Sequence, residues 1–268
     1  MNSYSTKEVI GLLSKKAHAK EQLSIIRVIL LGILAGAFIA LGYLSFVRVA
    51  GTTPKAWGSF STFLGACLFP IGLMAITFLG GELVTGNMMV MAFGWLNHTV
   101  KLTSVIKNWL LVMLGNFLGG LFVAYFFGHL TGLTEGDFAA KTIAVAASKV
   151  ADTPLKMVVS GIGCNIFVCM AVFLGAMSKD FMGKAFGLWF PIMLFVVCGF
   201  QHVVANAFII PAAMFAGAPI SLGALFTDIV FVFIGNALGG AVFLALPLYK
   251  TYFKPAEEAE KIIERQVI

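Results

Sequence analysis

Four stretches of this chain contain no Asp, Glu, Lys or Arg over about the length that a helix needs to cross a lipid bilayer. They are residues 28–47, 108–134, 157–178 and 229–249. About 20 apolar helical residues span the roughly 30 Å hydrocarbon core. Every backbone N–H and C=O inside that core must be satisfied within the protein, so only helices and closed barrels cross it. The four stretches therefore predict transmembrane helices in an all-α integral membrane protein.

The composition excludes several classes of protein. Of the 268 residues, 60% are apolar and 11% are charged, against about 45–50% and about 25% in soluble domains. These values exclude a water-soluble enzyme, a disordered chain and a disulfide-rich secreted domain. The net charge of +6 requires no nucleic-acid partner, because the Lys and Arg residues lie outside the apolar runs. We expect no metal and no cofactor, because the cysteines lie in apolar runs without metal-ligand spacing. These cysteines are Cys67, Cys164, Cys169 and Cys198.

Two longer runs leave the number of spans open. Residues 56–100 contain one charge, Glu82, and residues 185–227 contain none. Two complete helices in each run give eight spans, whereas one crossing broken at its centre gives six. By the positive-inside rule, 13 of the 18 Lys and Arg residues are cytoplasmic with six spans and 12 with eight. Both topologies predict cytoplasmic termini, and the counts do not choose between them.

The two ends of the chain are more polar than the rest. Residues 1–25 mix apolar residues with lysines, which favours a cytoplasmic amphipathic helix at the membrane interface over a cleavable signal peptide. A solvated helical tail fits the same pattern. The transmembrane domain is expected at residues 26–250 and a cytoplasmic tail at residues 251–268. Within that tail, Glu257–Arg265 is more simply a solvated helix than a partner-binding segment.

The sequence also repeats itself. The first octapeptide, Gly-Gly-Glu-Leu-Val-Thr-Gly-Asn at residues 80–87, aligns without gaps with the second octapeptide, Gly-Phe-Gln-His-Val-Val-Ala-Asn at residues 199–206. Gly-Asn-Phe-Leu-Gly-Gly at residues 115–120 matches Gly-Asn-Ala-Leu-Gly-Gly at residues 235–240. The offsets of the two pairs, 119 and 120 residues, indicate a duplication. Repeat 1 covers about residues 26–130 and repeat 2 about residues 155–250.

If each long run crosses the membrane once, each repeat has three crossings and the second repeat is inverted. Folds of this kind place the solute pathway where interrupted helices meet near the membrane midplane. The octapeptides are suited to such interruptions, because each glycine lowers helix stability by about 1 kcal/mol relative to alanine. Glu82, Asn87, Gln201 and Asn206 provide side chains that can bind freed backbone groups.

Glycines spaced four residues apart mark the last span of each repeat. The pairs Gly115/Gly119 and Gly235/Gly239 have the spacing that allows two membrane helices to approach closely. We interpret them as packing residues without a role in a pore.

His202 is the only histidine in residues 185–227. A single histidine in a membrane helix commonly packs and forms hydrogen bonds, but ionisable residues inside membranes also mark transport pathways. The position of His202 in the second octapeptide favours the pathway. Its side chain can exchange a proton near neutral pH, so an anion could pair with it or leave as the neutral acid.

Three motifs together resemble the formate/nitrite transporter family. They are the two octapeptides and Gly-Ile-Gly-Cys-Asn at residues 161–165. The resemblance covers roughly residues 5–250 and is closest to the hydrosulfide-channel branch of the family. It implies six transmembrane helices as two inverted three-helix repeats, aquaporin-like, with two helices broken at mid-membrane. It also implies a homopentamer in the bacterial plasma membrane, with one pore per protomer.

The resemblance also assigns roles to single residues. His202 takes the place of the central pore histidine, Asn206 that of the asparagine four residues later, and Thr85 that of the hydroxyl residue in a mobile loop. Lys149, followed by the Asn165 segment, matches the lysine that draws anions towards the pore. Two hydrophobic constrictions are expected on either side of the histidine, formed by Phe69, Leu73, Leu83, Val84, Val168 and Phe195. Glu82 is expected to turn away from the anion and bind loop backbone amides, and Gln201 to support its loop in the same way.

Two departures from the family pattern bear on the substrate. Val84 stands where many formate-type members have phenylalanine, and Gln201 where many have glutamate. The smaller side chain beside Thr85 suits a slim anion, so the sequence predicts a channel for hydrosulfide, and also for formate and nitrite. A proton-coupled carrier of formate or nitrite is the alternative. An enzyme is not expected, because no nucleophile–base pair or metal-ligand cluster accompanies His202.

Overall fold

The computed structural model describes residues 2–253, and these residues fold into helices joined by short connections. Backbone pairing of the β type is confined, within those residues, to one bridge between Ser3 and Ser178. The prediction for the C-terminal tail lies largely outside the described residues. The main helices in chain order are α1 (Thr6–Glu21), α2 (Ile25–Thr52), α3 (Ser59–Leu68), α4 (Ile71–Leu79), α5 (Val84–Leu96), α6 (Leu102–Phe122), α7 (Ala139–Val150), α8 (Pro154–Met177), α9 (Phe181–Val197), α10 (Val203–Phe215) and α11 (Leu222–Ala237).

Several helical segments are continuous beyond these bounds. Helix α6 continues as a π-helix over Val123–His129, and α11 continues through Leu238–Ala245 and Leu246–Leu248 to Tyr249–Phe253. Short 3-10 turns occupy Lys55–Trp57 and Gly136–Phe138. Within residues 2–253, five segments have the length and apolar composition of membrane spans: Ile25–Thr52, Ser59–Leu79, Leu102–His129, Pro154–Met177 and Leu222–Phe253.

The two long uncharged runs each contain a broken helix. In the first run, α3 and α4 are followed by the connection at residues 80–83 and by α5. In the second run, α9 and α10 are separated by residues 198–202. The predicted interruption of a helix at each octapeptide is therefore present in the structure.

Side-chain caps set the start of the long helices. The hydroxyl of Ser24 accepts a hydrogen bond from the N–H of Arg27 at the start of α2 (3.4 Å), and Thr153 caps α8 in the same way. Asp180 caps α9 through the N–H of Gly183 (2.7 Å), and Ser221 caps α11. Such caps satisfy backbone N–H groups that have no partner inside a helix.

Helix α1 is folded onto the rest of the molecule. Its first turn is closed by a capping box in which Ser5 and Glu8 bind each other's backbone N–H. Its apolar face, with Val9, Ile10 and Leu13, is buried in one cluster with residues of α5 and with Tyr249 near the end of the described chain. The sequence indicated an amphipathic helix but not that its apolar face would be buried inside the protein.

Glycines set the close contact between α2 and α6 and between α8 and α11. A Cβ atom at Gly119 would lie 2.0 Å from the carbonyl oxygen of Ile33, and one at Gly235 would lie 2.2 Å from that of Val158. Ordinary contacts of this kind are at least 3.4 Å long, so only glycine fits at these crossings. The predicted close packing at the small-residue spacing is confirmed.

We expect Gly119→Ala to destabilise the protein by about 1–3 kcal/mol, because the added methyl group must push α2 and α6 apart. Unfolding of the detergent-solubilised protein in a titration with SDS measures this effect. Gly223→Ala is the matched control, because a Cβ atom at Gly223 meets its nearest neighbour at 3.7 Å. Equal stability of the two variants would contradict the packing argument.

Candidate transport pathway

Two glycines end helices at matched positions of the two octapeptides. Gly80 follows α4 with φ of 84°, and Gly199 follows α9 with φ of 72°. This left-handed backbone conformation is disfavoured for residues with a Cβ atom. At each glycine the chain leaves the helix, and the freed backbone groups of the next residues need other partners.

Asn116 and Asn236 provide those partners. The Asn116 amide oxygen accepts the N–H of Val84 (2.9 Å), and its Nδ2 donates to the carbonyls of Glu82 (2.8 Å) and Gly32 (2.8 Å). Both asparagines are fully buried. One side chain therefore ties the break in the first run to two neighbouring helices.

The same arrangement occurs in the second half of the chain. The Asn236 amide oxygen accepts the N–H of Val203 (3.0 Å), and its Nδ2 donates to the carbonyls of Gln201 (3.0 Å) and Gly161 (2.8 Å). Sequence analysis placed both asparagines in a repeated motif but assigned them no role. Their recurrence at an offset of 120 residues was the signal that could have identified them.

A second pair of matched networks holds the asparagines that end the octapeptides. Asn87 Nδ2 donates to the Glu82 carboxylate (2.6 Å) and to Asn108 Oδ1 (2.9 Å). Asn206 Nδ2 donates to Gln201 Oε1 (2.7 Å) and to the Asp228 carboxylate (2.8 Å). These contacts bind the start of α5 to α6 and the start of α10 to α11.

His202 and Thr85 meet where the two octapeptides come together. His202 Nε2 lies 3.0 Å from the hydroxyl oxygen of Thr85, and both side chains are buried. His202 Nδ1 accepts the N–H of Ala205 (3.1 Å) and so caps α10. Because Nδ1 is an acceptor, the neutral imidazole carries its proton on Nε2 and donates it to Thr85. The Thr85 hydroxyl hydrogen remains free to bind another acceptor.

Two cavities lie near this contact: His202 lines one, and Gly86, the neighbour of Thr85 in the chain, lines the other. The Lys149 cavity, of about 190 Å³, is lined by Lys149, Lys141, Phe69, Phe195, His202 and Asn206 among others. The lysine-rich cavity, of about 200 Å³, is lined by Lys16, Lys20, Lys184, Leu73, Leu83 and Asn87 among others. The described residues that line one cavity do not line the other, so the two spaces are separate in this conformation.

Four of the six predicted constriction residues line one of the two cavities. The rings of Phe69 and Phe195 pack edge to face with centroids 5.5 Å apart, and Phe195 stacks on His202 at 5.6 Å. Leu73 and Leu83 line the lysine-rich cavity, and all four of these side chains are buried. Val84 and Val168 are buried in the core.

Lys149, in the last turn of α7, is buried. Its exposed fraction is 9%, and its Nζ donates to the carbonyl oxygens of Phe200 (3.1 Å) and Gly199 (3.3 Å). Burial lowers the pKa of the Lys149 ammonium, and nearby groups that include Asp228 oppose this effect. The ammonium thus lies at the helix break and faces the Lys149 cavity.

The lysines of the opposite cavity also affect one another. Desolvation lowers the pKa of Lys16, and the positive charges of Lys20 and Lys184 lower it further. Sequence analysis had not selected Lys16 or Lys184 as pathway residues. They come from α1 and α9, so only the packing of those helices brings them together.

Two predicted site residues, Glu82 and Gln201, have partners that differ from the expected ones or were not foreseen. The Glu82 carboxylate was expected to bind backbone amides, but it binds the side chains of Lys20 (2.5 Å) and Asn87. Gln201 Nε2 donates to the carboxylate of Asp152 (3.0 Å). Side-chain groups took these positions because α1 and the turn between α7 and α8 pack against the breaks.

Asn165 lies behind Thr85. Its Nδ2 donates to the backbone carbonyls of Thr85 (3.2 Å) and Asn236 (2.6 Å), and its side chain is fully buried. It therefore connects α8 to both halves of the chain. Its place in an anion pathway stays a prediction. Within residues 2–253, no three His, Cys, Asp or Glu side chains come together as a metal site would require.

Comparison with known proteins decides the family. The family model for the formate/nitrite transporters matches residues 7–250 of the chain. The chain belongs to the formate/nitrite transporter family. It is accordingly a multi-pass membrane protein of a transport family and not an enzyme.

Individual relatives agree with this family. The formate channel BtFdhC from Bacillus thuringiensis is 47% identical over 226 residues, which cover 84% of this chain and 87% of the relative. A solved structure of an FNT family ion channel superposes with a TM-score of 0.86 at 22% identity, covering 91% of this chain and 98% of that one. A pentameric formate channel with formate bound gives a TM-score of 0.72 at 24% identity, covering 85% and 97%. The hydrosulfide branch predicted from the sequence is not supported by these names.

We expect Asn236→Leu to destabilise the protein by about 2–4 kcal/mol, because three buried backbone groups lose their hydrogen bonds together. Unfolding in SDS measures the change. Asn97→Leu is the matched control, because Asn97 is partly exposed after α5. A loss no larger than that of the control would show that Asn236 is not needed to hold the break.

We expect Lys149→Met to lower the initial rate of anion uptake into proteoliposomes roughly tenfold at low ionic strength, since a buried positive charge concentrates anions at a pore entrance. Lys149→Arg keeps the charge and should retain most of the rate. Raising the salt concentration should reduce the difference between wild type and Lys149→Met. A rate for Lys149→Met equal to that of wild type would contradict the role assigned to Lys149.

Proposed function

We propose that this chain is a channel for small monovalent anions, with formate as the leading substrate. The observation that carries the proposal is the buried hydrogen bond between His202 and Thr85, together with two cavities that both contain lysines, one lined by His202 and the other by Gly86 next to Thr85. The lysines on each side attract anions and repel cations. The 47% identity to a formate channel supports formate as the substrate.

The hydrogen-bond donors at the centre are suited to an anion. His202 donates Nε2–H to Thr85, and the Thr85 hydroxyl can in turn donate to an anion that reaches it. Donors arranged in series strengthen one another. The aromatic pair of Phe69 and Phe195 must separate for the anion to pass. Apolar gates of this kind exclude hydrated ions until they open.

A channel for formate is favoured over a carrier in which His202 binds and releases a proton in each transport cycle. Protonation at Nδ1 would break the hydrogen bond from the N–H of Ala205 and place two donors against each other. A neutral imidazole that only donates through Nε2 keeps the cap of α10 intact. The proton-coupled carrier stays an alternative that flux measurements can separate.

Hydrosulfide is a second candidate substrate. It rests on the small side chain of Val84 next to Thr85, as the sequence analysis argued. The same measurement that tests formate ranks hydrosulfide and nitrite beside it.

The proposal includes six spans arranged as two inverted repeats. The matched asparagine pairs Asn116/Asn236 and Asn87/Asn206 support a common architecture for the two halves. In this arrangement α9 and α10 together form one interrupted crossing, as do Ser59–Leu79 and α5. Three crossings in each half then require opposite orientations in the membrane.

The proposal also includes a homopentamer in a bacterial plasma membrane with both termini in the cytoplasm. The pentameric formate channel with the same fold supports five copies. Large apolar side chains on the outer faces, such as Leu30, Leu110 and Phe226, provide surfaces for lipid and for neighbouring protomers. Burial of α1 and Tyr249 in one cluster supports a location of both ends of the described chain on the same side of the membrane.

Uptake of formate, nitrite and hydrosulfide into proteoliposomes tests the function. We expect flux of at least one anion above empty liposomes, and flux altered in His202→Ala. We expect Thr85→Val to reduce the flux about fivefold to tenfold, because the hydroxyl that binds the anion is lost. Thr85→Ser keeps the hydroxyl and should approach the wild-type flux.

Size-exclusion chromatography of each variant first establishes that it is folded and assembled. Folded wild-type protein without flux of any of the three anions would overturn the channel and the carrier together. Equal flux in Thr85→Val and in wild type would show that the Thr85 hydroxyl does not contribute to the pathway. Anion uptake that requires an imposed proton gradient and saturates would favour the carrier.

A further inference from the structure

The networks around Asn87 and Asn206 have their carboxylate and amide in exchanged positions. In the first network the octapeptide supplies a carboxylate, Glu82, and α6 supplies an amide, Asn108. In the second network the octapeptide supplies an amide, Gln201, and α11 supplies a carboxylate, Asp228. Each network therefore contains one carboxylate and one amide oxygen around a central asparagine.

A single carboxylate in each network has a physical reason. The asparagine NH₂ group has two hydrogens, and each of its two partners must be an acceptor. Two carboxylates would place like charges a few ångströms apart in a buried site, where their repulsion is strong. Two amides would lose the stronger hydrogen bond that a charged acceptor makes. Asp228 and Asn206 are fully buried, so neither cost would be relieved by water.

The exchange of carboxylate and amide also changes which residue of each network carries the negative charge near a lysine. Glu82 binds Lys20 directly (2.5 Å), whereas the corresponding Gln201 donates to Asp152 and to the carbonyl of Lys149. Burial lowers the pKa of the Lys149 ammonium, and the negative charges of Asp228, which binds Asn206 from α11, and of Asp152 oppose this effect. Among the described residues, Asp228 Oδ2 has no hydrogen-bond partner.

We propose that Asp228 is the positioning residue that supplies the negative charge of the second network. Its effect on stability and flux is coupled to Gln201, because it depends on an uncharged amide at that position. Asp228 holds Asn206 and the second octapeptide beside His202 and balances Lys149. The octapeptide itself stays uncharged where it lines the anion cavity. The consequence for transport rests on the proposed function, but the coupling between the two positions does not.

An exchange of the two groups tests the coupling. The variants are Gln201→Glu, Asp228→Asn and the double variant Gln201→Glu/Asp228→Asn, which gives the second network the layout of the first. We expect each single variant to reduce formate flux about tenfold and to lower the unfolding temperature. We expect the double variant to lose less flux and stability than the two single variants combined, although a carboxylate at residue 201 still faces Asp152. Asp137→Asn is the matched control, because it removes an exposed carboxylate and should change neither quantity.

The flux and the unfolding temperature separate the possible outcomes. Recovery in the double variant, or assembly of the double variant when a single variant does not assemble, supports the proposal. Three results would overturn the proposal. They are additive losses in the double variant, failure of all three variants to assemble, and an Asp228→Asn variant whose flux and unfolding temperature both equal those of wild type. A wild-type protein without anion flux would overturn the proposed function alone, and the unfolding temperatures would still decide the coupling.

Discussion

The structure depends on two buried asparagines that satisfy backbone groups where helices are broken. Lipid offers no hydrogen bonds, so an interrupted helix inside a membrane is stable only if the protein supplies partners for its freed groups. Asn116 and Asn236 each provide one acceptor and one NH₂ group to the break, and each also binds the carbonyl of a neighbouring helix. The polar residues of the pathway can lie at membrane depth because these two side chains hold the backbone that carries them.

The contact between the two halves places the chemistry. Each octapeptide starts a short helix, and His202 caps one of these helices while Thr85 lies in the first turn of the other. Asn165 on α8 donates to the backbone carbonyls of Thr85 and Asn236, so hydrogen bonds within the protein tie the backbone at Thr85 to the second half of the chain. In the proposed channel, the donors of His202 and Thr85 are in place before an anion arrives. They would replace part of the hydration that a small anion loses on entering the pore.

The two cavities show how charge is distributed in the molecule. The Lys149 cavity contains an ammonium held against backbone carbonyls, whereas the lysine-rich cavity contains three lysines of which Lys20 is paired with Glu82. Carboxylates lie within the hydrogen-bond networks of the helix breaks, and the ammonium groups face the cavities. Cavities lined by positive charge suit anions, whichever direction the flux takes.

The sequence alone determined the features that depend only on the solvent and on local backbone chemistry. Uncharged runs of about bilayer length become helices in lipid regardless of their neighbours, and Gly80 and Gly199 end helices because their backbone adopts positive φ. The repeat, and the position of His202 and Thr85 in its two octapeptides, were also accessible from the sequence. The tertiary structure decided which polar groups meet, because those partners lie far apart in the chain. Helix packing determines the burial of α1, the pairing of Lys20 with Glu82 and the place of Asp228 behind Asn206. The pattern of hydrophobic residues does not specify which residues of two packed helices face each other.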